Sequence, residues 1–184
     1  MRHLVFLLEE PSAQDALQAW LPSWLPAEVT PHFIVFQGKQ DLEKRMVLRM
    51  RHWLQPDSRF LVLRDQDSGD CKVVKAALVE RCAAAGRPDA VVRVACRELE
   101  SFFVGDWRAV AQAFGKPALA RLAGKAMYRN PDSLGSPSRE LAKHLSGYQK
   151  RDGARRISPL VYPMRNASRS FQALRTAVLA LGLA

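Results

Sequence analysis

Cysteine is scarce in this chain. Cys71, Cys82 and Cys96 make an odd number with no short paired spacing. That pattern excludes a disulfide framework and a zinc knuckle built on closely spaced thiols. Long apolar runs are missing too, so no membrane-spanning segment is expected. Residues 4–8 are apolar but meet Glu9 and Glu10 at once, too soon for a signal-peptide core. The expected location is therefore the cytoplasm, with no membrane partner. Internal repeats and low-complexity tracts are absent. Acid is scarce in one half only: residues 101–184 hold 4 Asp+Glu against 14 Lys+Arg. Residues 1–100 hold 14 of each, so the whole net charge of +10 belongs to the second half. Such asymmetry points to a polyanionic partner, most simply nucleic acid. The plainer alternative is basic helices that only keep the protein soluble.

What is present is an alternation of short β-forming runs and helical patterns. The chain has 184 residues, enough for one α/β domain with an added lobe. Strands are expected at 3–8, 32–36, 60–63 and 90–95. Helices are expected between them. The first is capped by Ser12 and ended by Pro22 and Pro26, the second runs from Asp41 to Leu54, and the third spans 71–85 with Val74, Leu78 and Cys82 on one stripe. This β-α rhythm predicts a mainly parallel four-stranded sheet covered on both faces, over residues 1–104. Residues 105–184 read as a basic helical extension packed on that core. Within it, helices are expected at 106–114, 116–126, 138–145 and 167–181, and a basic loop at 148–156.

The chain is organised around Arg59 to Asp70, RFLVLRDQDSGD. A buried strand runs into Asp65, Asp67 and Asp70, and a helix follows. In open α/β sheets the chemistry sits at the carboxyl ends of the strands. Clustered carboxylates repel one another unless they are solvated or neutralised by a cation. The bland reading is a solvated turn with Asp70 as helix N-cap. Two further strand exits weigh against it: Glu9 and Glu10 after the first strand, Glu98 and Glu100 after the fourth. His32, His52 and His144 share no motif and read as structural. Lys39 follows a strand-exit glycine, where it can meet a phosphate or simply be solvated.

Several stretches in chain order carry a resemblance: LLEEPSAQDAL, FIVFQGKQDL, LVLRDQDSGDC, RELESFFVGD, GARRISP and RNASRSF. A strand ending in Glu, followed by a strand ending in Asp-x-Asp, resembles the Toprim domain of topoisomerases, primases and old-family nucleases. The set as a whole resembles a Toprim-like family, domain of unknown function 4276. In its first motif, Glu9, Pro11 and Ser12 match. Glu10 stands where the family usually has glycine, and Ala13 where it has a second Glu.

The resemblance implies a Toprim-like fold with a magnesium or manganese site. By position Glu9, Asp65 and Asp67 are the metal-binding acids, with Asp70, Glu98 and Glu100 as further candidates. Glu9, Asp65, Asp67 and Glu100 form the implied catalytic set. Oxygen-only ligands suit magnesium. The implied activity is metal-dependent cleavage of DNA or RNA. The implied partner is an AAA- or ABC-type ATPase in an anti-phage defence arrangement. The basic residues Lys39, Lys143, Lys150, Arg151, Arg155, Arg156, Arg165 and Arg169 are candidates for holding a nucleic-acid backbone. The arginines can equally pair with carboxylates to dock the C-terminal helices. Loss of the second Glu at Ala13 favours another function, a non-catalytic scaffold that binds the ATPase.

Overall fold

Leu4, Phe6 and Leu8 alternate with Val5 and Leu7 along the first strand, β1 (Arg2–Leu8), and all five are buried. The computed structural model describes residues 2–183. In it the two sets face different cores. Val5 and Leu7 join the apolar sides of α2 (Lys39–Arg51) and α3 (Cys71–Ala84), through Leu42, Met46, Met50, Leu78 and Cys82. Leu4, Phe6 and Leu8 join α1 (Pro11–Trp24) and the helices that follow residue 100. The chain is therefore an α/β protein with a sheet buried on both faces, as the apolar runs require.

The other strands are β2 (Val29–Val35), β3 (Ser58–Asp65) and β4 (Val91–Ala95). All four are parallel, in the order β2-β1-β3-β4. Leu8 pairs with Leu63 and Asp65 with Ala95, so β1, β3 and β4 end at one edge of the sheet. The helix that leaves β1 packs on one face and the helix that leaves β3 on the other. A crevice opens between such strands at their carboxyl ends, where α/β proteins place ligands.

After β4 come α4 (Ser101–Val104), α5 (Trp107–Ala113), α6 (Pro137–His144), α7 (Lys150–Ile157) and α8 (Arg169–Leu183). Their apolar residues share a single cluster with α1 and one sheet face, from Leu4 to Val178. The aromatic centre of that cluster is Trp20, Trp24, Phe102 and Phe171, with ring centroids 5.1–6.2 Å apart. Among the described residues no helix is long and apolar enough to cross a membrane.

Several local expectations differ from the structure. Pro22 lies inside α1 rather than ending it. The carbonyl it leaves without a donor is that of Gln18, which is exposed and can be satisfied by water. Trp20, Leu21 and Trp24 meanwhile bury that last turn. Residues 150–157 are a helix, not a loop. Asp152 and Gly153 lower its intrinsic propensity, but Ala154 and Ile157 are fully buried and tertiary packing decides. Residues 117–124 form a 3-10 segment. Trp107 is 1% exposed and packs on Tyr128 and His144, so it offers no surface to a partner.

Candidate carboxylate site at the strand ends

Period-2 alternation decides which acids meet. Leu61 and Leu63 belong to the core that includes α1, and Phe60 and Val62 to the core beneath α2 and α3. Asp65 therefore continues toward α1 and α7, and Arg64 toward α2 and α3. Arg64 donates to Glu43 of α2 at 2.6 Å and lies 3.8 Å from Glu9. Glu9 accepts from the Asp65 backbone N–H at 3.0 Å. Its carboxylate thus ties the end of β1 to β3 and sits with Arg64. Burial pushes the Glu9 carboxyl up, against the lowering effect of that backbone bond.

Asp65 meets a different set: Glu10, Glu100 and Lys150. The Lys150 ammonium is 3.3 Å from Glu10 Oε2, 3.9 Å from Glu100 Oε2 and 4.0 Å from Asp65 Oδ2. Glu100 is fully buried and Asp65 is 7% exposed. Glu100 Oε1 accepts a long hydrogen bond, 3.5 Å, from the Tyr148 hydroxyl, and its Oε2 has no hydrogen-bond partner. Burial, opposed by Lys150 and reinforced by Glu10, moves the Glu100 carboxyl up to about 7. Burial, then Glu10 and Glu100, push Asp65 well above its ordinary range. Burial also raises the Tyr148 phenol, with Glu100 adding to it. Lys150 is shifted the other way from what burial alone would do. Glu100, Glu10 and Asp65 together hold it more firmly protonated.

The remaining acids have other partners. Asp67 sits in the left-handed region at φ 56, facing Arg97 at φ 63. Its backbone N–H donates to Arg97 O at 2.8 Å, and its carboxylate takes Lys39 Nζ at 2.9 Å. Asp70 is the N-cap of α3 and accepts from Lys72 N and Val73 N. Glu98 accepts from Ser138 N at 2.7 Å and from the Ser136 hydroxyl, so it caps α6. A cleft lined by Asp67, Ser68, Arg97, Glu98 and Gly135 opens beside these acids.

Most of the basic residues singled out in the sequence are paired within the protein. Arg151 and Arg155 share Asp15 of α1 at 2.7 and 3.2 Å. Arg156 donates to Ala113 O and lies over the Phe114 ring. Arg165 makes a two-pronged pair with buried Asp106. Lys143 pairs with Glu140. Arg169 is exposed and lines a groove with Lys75 and Arg93. From the sequence, Glu10 is only a stand-in for the carboxylate missing at Ala13, and Lys150 belongs to a phosphate-binding surface. Nothing in the sequence singles out Tyr148. The available signal was parity: Glu10, two residues after Leu8, shares its face, as Asp65 shares that of Leu63.

An oxygen-only set with an unsatisfied buried carboxylate oxygen suits a hard divalent cation in its chemistry. Among the described residues, however, no group of three or more His, Cys, Asp or Glu side chains is spaced to hold a metal ion. The centre of the cluster is filled by the Lys150 ammonium.

Fold and site together define a parallel α/β protein with an acidic cluster at the carboxyl ends of adjacent strands. Residues 8–179 match the model of a family described as a domain of unknown function, DUF4276, and the chain belongs to that family. No curated protein and no solved structure matches it.

Proposed function

We propose that this protein is a phosphodiester-cleaving enzyme of Toprim-like type that works with magnesium or manganese on DNA or RNA. The observation that carries the reading is the convergence of Glu10, Asp65 and Glu100 at one sheet edge, with Glu100 Oε2 buried and unsatisfied. A cation there would have to draw these carboxylates closer than their present spacing around Lys150, with Glu9 bracing the end of β3 beside them. A divalent cation, when bound, supplies Lewis acidity toward a phosphoryl oxygen. The chain's own residues do the rest. Glu100, whose carboxyl burial moves up to about 7, would have to give up its proton to take the cation. Lys39, 46% exposed beside Asp67, offers a cation to a phosphate at the mouth of the site.

A second reading is favoured by one specific observation. Lys150 already compensates the cluster, and Asp70 and Glu98 are spent as helix caps. This is what a non-catalytic scaffold would show. Such a scaffold would bind an AAA- or ABC-type ATPase in an anti-phage system, and the enzyme reading assigns it the same partner. A cleavage panel on single-stranded DNA, duplex DNA and RNA separates the two, run with Mg2+ or Mn2+ and with or without the ATPase. The enzyme reading requires metal-dependent cleavage that Asp65→Asn abolishes. Absence of cleavage under every condition, with the ATPase present and bound, leaves the scaffold reading standing.

A further inference from the structure

Cys71 and Cys96 are twenty-five positions apart, and no local pattern links them. The fold brings them together. On leaving β3 the chain lies along the exit of β4. Gln66 N donates to Ala95 O at 2.9 Å and Asp67 N to Arg97 O at 2.8 Å, one bond on either side of Cys96. Gly69 N then donates back to Gln66 O, and this turn returns the chain to the first residue of α3, which is Cys71. Cys71 and Cys96 line one groove of about 410 Å3 between α3, β4 and α8, and both are part-exposed. Burial, then Asp132, push the Cys96 thiol up, and the adjoining Cys71 thiol adds to this by charge and hydrogen bond. The third cysteine is out of reach. Cys82 is 1% exposed in the core with Leu42, Met46 and Leu78, and burial moves its thiol up to about 11.

We infer that Cys71 and Cys96 are a reversible dithiol–disulfide pair, oxidised by a small-molecule disulfide that bears carboxylates, and that their bond clamps the loop carrying Asp67 to the exit of β4. The pair is independent of the cleavage reading above. Charge selects the oxidant. Lys75, Arg93 and Arg169 line the groove beside the thiols, and Asp132 is the one acid among the described residues that line it. Asp132 is already engaged by the Ser168 and Ser170 hydroxyls and by Ser170 N. The groove therefore presents surplus positive charge, which draws in carboxylates. Glutathione disulfide is of this class. One protein thiolate attacks one of its sulfurs and displaces the first glutathione. The second protein thiol loses its proton, attacks the mixed disulfide and displaces the second glutathione. The protein gives up two electrons and two protons, and these convert the glutathione disulfide into two glutathione thiols. The ring so closed spans residues 71–96. Opening of the loop at 66–70 then has to work against a covalent tie as well as its hydrogen bonds.

The test uses the wild-type chain, incubated in mixtures of reduced and oxidised glutathione, alkylated while folded, digested and mapped by mass spectrometry. A peptide pair joined through Cys71 and Cys96 should appear as the mixture becomes more oxidising, and should vanish with dithiothreitol. Cys82 should stay reduced throughout. Cystamine, a cationic disulfide, should form the bond more slowly than glutathione disulfide at equal concentration. In the bonded form the Gln66, Asp67 and Gly69 amides should exchange with solvent about tenfold more slowly than in the reduced form. In Cys71→Ser and in Cys96→Ser the remaining thiol should stop at a mixed disulfide with glutathione. Wild-type thiols that stay free, that end as two separate mixed disulfides, or that join two chains overturn the pair. So does a link that moves to Cys82 in either variant. Unchanged exchange at those three amides overturns the clamp, and faster oxidation by cystamine overturns the choice of oxidant.

Discussion

Asp106 shows how much one buried carboxylate can organise. It is 2% exposed and caps α5 through Ala109 N at 3.2 Å. It also accepts from Tyr162 N at 3.0 Å and from Arg165 Nε and Nη2, both at 2.8 Å. Asp106→Ala strands these donors around an empty site and should cost about 3 kcal/mol or more, measured by urea unfolding. Asp15 does similar work nearer solvent, tying α1 to α7. Burial alone would raise its carboxyl, but hydrogen bonds and charge from Arg151 and Arg155 outweigh that and hold it below its ordinary 3.8. A depressed acid contributes stability that is complete above 3.8 and lost as pH falls below it. Asp15→Asn should therefore melt lower than wild type at pH 7, with the gap narrowing below pH 3.8. A gap that stays constant down to pH 3 would mean that Asp15 acts through shape rather than charge.

At the scale of the element, α3 begins at Cys71 because Asp70 turns its side chain back onto two N–H groups that the helix cannot satisfy. That cap was legible in the sequence, and so was the rival reading of Asp70 as a metal ligand. The structure places it as a cap. Asp70→Ala should cost about 1 kcal/mol of stability in denaturant titrations, and it should leave Mn2+ affinity unchanged. A loss of Mn2+ binding in a folded Asp70→Ala protein would return it to the ligand set. Glu98 has the same kind of work at the start of α6, but its helix lies some forty residues away in sequence. No local pattern links the two. Ser138, at the head of the expected helix 138–145, has a side chain of the capping kind. In fact its backbone N–H is what Glu98 satisfies.

For the whole molecule the basic half looks different once its ion pairs are known. Arg151, Arg155 and Arg165 serve the packing of α7 and α5, and their charge is locally answered. Arg121, Lys125 and Arg129 are exposed, and among the described residues none has an acidic partner within salt-bridge reach. If the +10 serves nucleic acid, these three are better placed to meet phosphates than the arginines on Asp15. Alanine at all three should weaken duplex DNA binding at low salt. It should also flatten the dependence of log K on log salt by up to about 0.9 for each phosphate no longer neutralised. An unchanged slope in the folded triple variant would exclude that stretch as a phosphate track.

The sequence by itself determined the layered α/β architecture, the position of its strands and the gathering of acids at the strand exits. Each of these follows from short-range patterns: apolar runs, a period of two or 3.6, and a turn residue at a boundary. It also determined the neutral and basic halves, since charge is additive along a chain. Only the tertiary structure decided which acids face one another. Glu9 and Glu10 are adjacent in sequence, yet one lies with Arg64 and the other with Lys150. A single residue of parity in a strand moves a side chain to the opposite face of the sheet. Lys150 reaches Asp65 from eighty-five residues away along the chain, through a helix whose local propensity is poor. Its place depends on Ala154 and Ile157 burying against a core assembled from distant parts of the chain. Long-range burial, not local preference, put a cation at the centre of the carboxylates.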